Sequence, residues 1–374
     1  MHILFTIGRY WPAVGGAESL VREVAWRLAA SNEVSVASLV NNNDPDFLGR
    51  LREQPRPSAY LDGQVDARLL HASGPRRLFL EAYIQLACRS CLPKIQQALF
   101  KIAYGAELEE LISRAQLVHT LPAMSMSLVR LTAKIACSQG VPFVITPHLH
   151  GEEEASAMCD VLLQADGVIA LTTVERDWIA SVGVPENRIE VTGIGHTIAP
   201  SQGANRFRAR HKIDGPIVLF IGRKETYKGY RQMLAAAPDV WRKQPHASFV
   251  FIGPPTLESQ RDFMGWRGER RILELPTINV QEKSEALADC DLLCVPSTKE
   301  SFGHIFLEAW GAGKPVIAAD IPVERAVIEE GEDGLLTAQE PSDIAETVLH
   351  LLGDPQKARE MGAKGRLKVL EKYN

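Results

Sequence analysis

The chain has 374 residues, a formal net charge of −5, 45% hydrophobic residues and 23% charged ones. That length exceeds what a single hydrophobic core supports and predicts two domains of roughly 180 residues each. The composition suits a globular protein, the charge gives no global pull toward nucleic acid, and no run of 18 apolar residues offers a membrane span.

Residues 2–7 predict a buried strand, followed by a loop over 8–16 and an amphipathic helix over 17–30. A second strand is expected at 34–40, closed by the turn Asn41-Asn42-Asn43-Asp44-Pro45. Residues 46–75 show little periodicity, whereas 76–112 is mostly helical in pattern. Strands at 117–120, 143–146, 168–171 and 189–192 alternate with helices such as 124–139 and 173–181. A second alternating series places strands at 217–221, 249–252, 271–275, 292–295, 316–318 and 335–337. Alternating strand and helix implies parallel sheets covered on both faces. The fold class expected is α/β, with two Rossmann-like, doubly wound parallel-sheet domains facing a cleft. Their bounds are 1–195 and 216–374, joined by a linker over 196–215. In such sheets ligands bind at the carboxyl ends of the strands.

The first residues lack the basic leader of a signal peptide. Cys88, Cys91, Cys137, Cys159, Cys290 and Cys294 are scattered, without a second pair at zinc spacing, and are expected to be reduced core residues of a cytoplasmic protein.

The densest chemistry lies in V-P-S-T-K-E-S-F-G-H-I-F-L-E-A-W-G-A-G-K-P-V-I-A, residues 295–318. It sets Glu300 and Glu308 around a strand-to-helix turn, with a helix expected from 297 to 311 and Glu308 about two turns in. Gly303 and His304 would supply unpaired N–H groups at the helix start, suited to phosphate or sugar oxygens. By spacing alone, a helix cap and a solvated glutamate are the better explanation of the pair. Arg223 and Lys228 share the loop after the strand at 217–221, where two fixed cations could offset charge on a departing diphosphate. Gly15-Gly16 opens the first helix and permits close approach of a phosphate, although the loop is not G-x-G-x-x-G. His148 and His150 sit at a strand exit without further metal ligands nearby. Two D-x-D triplets, Asp44-Pro45-Asp46 and Asp289-Cys290-Asp291, are better read as a turn and a helix-to-strand junction. Residues 76–105 contain five basic residues and one acidic among many apolar ones, a balance that also suits a peripheral contact with an anionic membrane.

In order, G-R-x4-K-G at 222–229, P-S-x2-E-S-F-G at 296–303 and E-x7-E from Glu300 to Glu308 resemble the signature of retaining, nucleotide-sugar-dependent glycosyltransferases of family four. That resemblance implies the GT-B fold and metal-independent transfer of a sugar to an unknown acceptor hydroxyl in glycan, glycolipid or polysaccharide biosynthesis. It assigns Arg223 and Lys228 to the diphosphate, Glu300 to sugar hydroxyls and Glu308 to the ribose. Ser301, Phe302, Gly303 and His304 would line the donor site, His148 would contact the sugar, and Gly15 and Gly16 would face the phosphates. No metal ion or cofactor is implied. His304 departs from the family, which usually has an apolar residue there, and a C-terminal crossover helix is expected to be missing. A GT-B sugar-nucleotide epimerase and a non-catalytic nucleotide-sugar-binding protein are the alternatives. A nicotinamide-dependent oxidoreductase would leave the two glutamates unexplained.

Overall fold

The computed structural model of the chain describes residues 1–13, 15–44, 46–53, 59–197 and 205–373. Pro45 of the expected turn and residues 198–204 of the expected linker lie outside them. The chain divides into two compact units, Met1–Thr192 and Gly193–Asn374.

In the first unit the strands are β1 (His2–Arg9), β2 (Glu33–Val40), β3 (Ala59–Asp62), β4 (Val65–Leu69), β5 (Leu117–Leu121), β6 (Phe143–Ile145), β7 (Gly167–Ala170) and β8 (Ile189–Val191). Their order across the sheet is β3-β4-β2-β1-β5-β6-β7-β8. Ile3, Leu4, Phe5 and Ile7 of β1 are all buried, which explains the continuous apolar run in place of alternation: both faces of a central parallel strand are covered. The stretch without periodicity corrects the all-parallel expectation. It holds a short helix, Phe47–Arg52, and the antiparallel pair β3–β4 at the sheet edge. Elements of four to six residues are too short to display a period.

The long helical pattern is two helices, Arg76–Cys88 and Pro93–Arg114. Ser90 and Leu92 break it in left-handed conformations, and Pro93 opens the second helix where it has no N–H to lose.

In the second unit the strands are β9 (Ile217–Ile221), β10 (Ser248–Ile252), β11 (Ile272–Leu275), β12 (Leu292–Val295), β13 (Val316–Ala319) and β14 (Gly334–Thr337). They pair in parallel, in the order β11-β10-β9-β12-β13-β14. Part of the stretch read as linker folds here as the helix Arg206–His211, with Phe207 fully buried. Asp289 holds it by accepting the N–H groups of Asn205, Phe207 and Arg208, while Asp291 accepts from Ile217 N. One D-x-D triplet is therefore a staple between this helix and the sheet. In the other, Asp44 pairs with Arg50 and Asp46 caps Phe47–Arg52 by accepting from Gly49 N. The cysteine expectation holds only in part. Cys290 and Cys294 are buried, but Cys88 and Cys137 are exposed.

Candidate active site

Strand order reverses between β9 and β12 in the second unit, so the loops leaving their carboxyl ends, residues 222–229 and 296–303, are neighbours at a topological switch point. Lys224 anchors the first loop from below. It is only 1% exposed, and its Nζ donates to Glu274 at 2.9 Å and to Leu275 O at 2.8 Å. Burial draws its ammonium below the usual lysine range against the pull of Glu274. The two loops are tied together by Thr298 N, which donates to Tyr227 O at 2.9 Å, and by Gln339 Nε2, which bridges Tyr227 O and Pro296 O. Gly229 makes this approach possible. Its φ is +81°, and a Cβ there would lie 2.5 Å from Pro296 O.

This convergence sets Lys228 Nζ 2.5 Å from Glu300 Oε1, with both side chains largely buried. Arg223 is half-exposed and pairs with Glu225 at 2.6 Å. Lys283, on the helix Val280–Asp289, reaches the two Glu308 oxygens at 2.8 and 2.7 Å. The four groups that the sequence offers as free charges for a ligand thus each carry an intramolecular counter-charge. Partly buried charges are costly unless paired, so a ligand here must exchange partners rather than find vacant ones. Burial alone would raise the Glu308 carboxyl. Lys283, with His304 and His196, instead holds it below the usual carboxylate range. Burial also lowers the His304 imidazole, opposed by Glu308. Its ring meets His196 edge-on at 5.6 Å, and His196 N donates to Tyr373 O. Lys283 belongs to none of the sequence motifs, and nothing in its neighbourhood in the chain distinguishes it from a solvated helix lysine.

The helix after β12 starts later than expected, at His304 rather than 297, and runs to Gly311. Gly303 is its N-cap at φ +80°, and a Cβ there would meet the Phe306 ring at 2.3 Å. Residues 297–303 therefore stay as a loop, in which Ser297 Oγ turns back to donate to Lys299 O at 3.0 Å. Glu308 is consequently one turn into the helix, not two. Ser301 is partly buried. Phe302 is a core side chain, 1% exposed and edge-on to Tyr373 at 5.4 Å, which leaves its backbone rather than its ring for a ligand.

The remaining candidates belong to the first unit. Gly15 is extended, and a Cβ on it would lie 2.2 Å from Glu18 Oε2. Glu18 pairs with Arg9 at 2.6 Å in the first turn of the helix Gly16–Ala29. The helix start that the sequence offers to a phosphate thus already holds a carboxylate of its own, while Gly16 faces open space. His148 follows β6 in a left-handed conformation, φ 56°. Its loop is held by the buried Glu175, which accepts from Leu149 N at 2.7 Å and Leu171 N at 2.6 Å. Burial pushes the Glu175 carboxyl up to about 7 and the nearby His119 imidazole down to about 4. His150 turns away to Glu154 at 3.2 Å. Among the described residues no cluster of three His, Cys, Asp or Glu could hold a metal ion.

Two family models divide the chain between them. Residues 14–195 match Glycosyltransferase Family 4 and residues 201–368 match Glycosyl transferases group 1. A D-inositol 3-phosphate glycosyltransferase of Nocardia farcinica is 30% identical over 219 residues, 54% of this chain and 49% of that protein. A phosphatidyl-myo-inositol mannosyltransferase of Mycobacterium tuberculosis is 33% identical over 191 residues, 49% of this chain and 48% of that protein. The chain spans about half the length of the curated relatives it matches. The solved structure of Anabaena HepE in complex with UDP and glucose has a TM-score of 0.75 at 18% identity, covering 100% of this chain and 95% of that one. The shared fold is GT-B.

Proposed function

We propose that the chain is a retaining, metal-independent glycosyltransferase of the GT-B fold, a reading supported by the successive matches of its two halves to glycosyltransferase family models. It moves a sugar from a nucleoside-diphosphate sugar to an acceptor hydroxyl. One observation carries this reading: Lys228 meets Glu300 where the loops of β9 and β12 converge at the switch point. The same loops hold the ammonium a diphosphate needs and the carboxylate that sugar hydroxyls need.

In the reaction Lys228 leaves Glu300 for the diphosphate, and Arg223 leaves Glu225. Their charges offset what develops as the bond from the sugar carbon to the phosphate oxygen breaks, the part a metal plays elsewhere. Glu300 turns to the sugar hydroxyls and Glu308 to the ribose. In the first turn of the helix His304–Gly311 Phe306 N already donates to Gly303 O, so the N–H groups of His304 and Ile305 are the ones offered to donor oxygens. The acceptor oxygen bonds to the sugar carbon on the face the diphosphate leaves, and its proton passes to a phosphate oxygen. For His148, Gly15 and Gly16 the assignment rests on the family resemblance. The relatives, an inositol phosphate glycosyltransferase and a mannosyltransferase, and the UDP and glucose of the Anabaena structure support a hexose nucleotide as donor.

The test is a thermal-shift series with UDP, GDP, ADP and NAD, in EDTA and then with magnesium. A ligand at 100 times its dissociation constant stabilises by roughly 2.7 kcal/mol. A shift with one diphosphate in EDTA is expected, followed by donor turnover only when acceptor is present and a product of unchanged anomeric configuration. A shift with NAD alone sinks the reading. Donor interconversion without acceptor favours the epimerase.

We further propose an anionic membrane surface as a partner. Among the described residues no helix is long and apolar enough to cross a membrane. The helices Arg76–Cys88 and Pro93–Arg114 and the turn between them nevertheless expose Leu78, Phe79, Leu92, Ile95 and Ile102 among exposed Arg76, Arg77, Arg89, Lys94 and Lys101. The one acid between residues 76 and 105, Glu81, is taken by Arg52. Charge reversal at Arg76, Arg77 and Lys101 is expected to abolish flotation with phosphatidylglycerol vesicles; unchanged flotation refutes the contact.

A further inference from the structure

Glu324, third in the helix Pro322–Val327, is fully buried, and neither carboxyl oxygen has a hydrogen-bond partner. Among the described residues the other buried charged side chains of this unit are all answered. Lys224 has Glu274, Glu285 has Gln281 and Arg210, Asp289 has backbone N–H groups, Glu300 has Lys228, and Asp333 has Lys368. Its place is specific. Glu324 Oε2 lies 3.5 Å from where a Cβ on Gly303 would be, against the loop that carries Glu300. The charged groups that act on it are Glu300 and Lys228.

A bare carboxylate in such a place is costly, whereas a neutral carboxylic acid is not and keeps an O–H to donate. Lys228 is already committed to Glu300, so one ammonium would have to serve two carboxylates. Burial first, then the charge of Glu300, hold Glu324 well above the ordinary carboxylate range, with Lys228 opposing. The consequence appears when a diphosphate arrives. Lys228 turns to the phosphates and Glu300 loses its partner as it takes up the sugar hydroxyls.

We propose that Glu324 is a positioning residue of the donor site, a buried carboxylic acid that donates its O–H toward Glu300 when Lys228 turns to the diphosphate. This rests on the transferase reading above. The acid is a donor that the sequence motifs do not include, and no proton leaves it.

Three variants and two readouts test it. Infrared difference spectra of the ligand-free protein at neutral pH should contain a protonated-carboxyl band that E324Q removes. In transfer assays E324Q, which keeps a donor but cannot ionise, should stay within about threefold of the parent and lose the alkaline fall-off of kcat. E324L should fold, bind the nucleoside diphosphate as the parent does, and lose kcat by roughly tenfold or more. E324D, which keeps the acid on a shorter stem, should fall between E324Q and E324L. A missing band overturns the inference and leaves the transferase reading standing, as does an E324L with parental kcat and pH profile. A parent protein that binds no nucleoside diphosphate overturns both, whatever the spectrum contains.

Discussion

Replacing Glu300 by glutamine removes the charge that holds Lys228 while preserving the shape of the side chain. The pair is 2.5 Å apart, with the two side chains 18% and 11% exposed, so solvent screens it little. A hydrogen bond to a charged group is worth about 1.5–3 kcal/mol, and a diphosphate must break this one to recruit Lys228. Relief of most of that cost should strengthen nucleoside-diphosphate binding by about 1–2 kcal/mol, roughly a five- to thirtyfold lower Kd. Transfer should move the opposite way, falling by about a hundredfold or more because the sugar hydroxyls lose their charged acceptor. Titration calorimetry with the preferred diphosphate, beside a turnover assay, reads the two effects separately. Lys228→Met should weaken both. If E300Q binds the diphosphate as poorly as K228M, the partner-exchange reasoning is wrong and the Lys228–Glu300 pair is a fixed structural bridge.

Gly303→Ala should destabilise the C-terminal unit by about 2 kcal/mol or more, because φ +80° is strained for alanine and Phe306, fully buried, cannot yield to the new Cβ; urea unfolding measures it, and a neutral result would deny the left-handed cap. Lys283→Met removes the partner that holds Glu308 low. The folded pKa of Glu308 is depressed, so the lysine's stabilisation is present above the unfolded value and disappears as pH falls through the folded one. The stability gap between parent and K283M should thus close below about pH 4, and a pH-independent gap would contradict the ion pair. Glu175 has the opposite sign. Raised to about 7 by burial, it contributes stability that is fully present below its unfolded value and lost as pH rises through 7. Stability of the parent should decline by on the order of 2 kcal/mol between pH 5 and 8 beyond any decline in E175Q; parallel pH curves for the two proteins would remove Glu175 as the source.

Much of this molecule is legible from residue order because its elements are long or both-faced. β9, β10, β12 and β13 are central parallel strands with apolar residues on both sides, so they stand out as continuous runs whatever their partners. Motif spacing likewise brings Arg223, Lys228 and Glu300 to the loops after β9 and β12 and Glu308 to the helix that follows, since a loop at a strand's end is a local feature. The short hairpin β3–β4 and the helix Arg206–His211 escape notice for the converse reason: neither is long enough to carry a period, and the helix depends on Asp289, some eighty residues on.

What residue order cannot supply is the identity of partners distant in the chain. The pairing of Lys228 with Glu300 across 72 positions, of Lys283 with Glu308 across 25, and the solitude of Glu324 beneath Gly303 arise only when the sheet order reverses between β9 and β12. The sequence determined the α/β class, the two halves and the chemical types at the strand ends, because these rest on local pattern. Tertiary structure alone decided which charges are neutralised and which carboxyl is left without a partner, because burial and counter-charge are properties of the packed site and not of the residues that enter it.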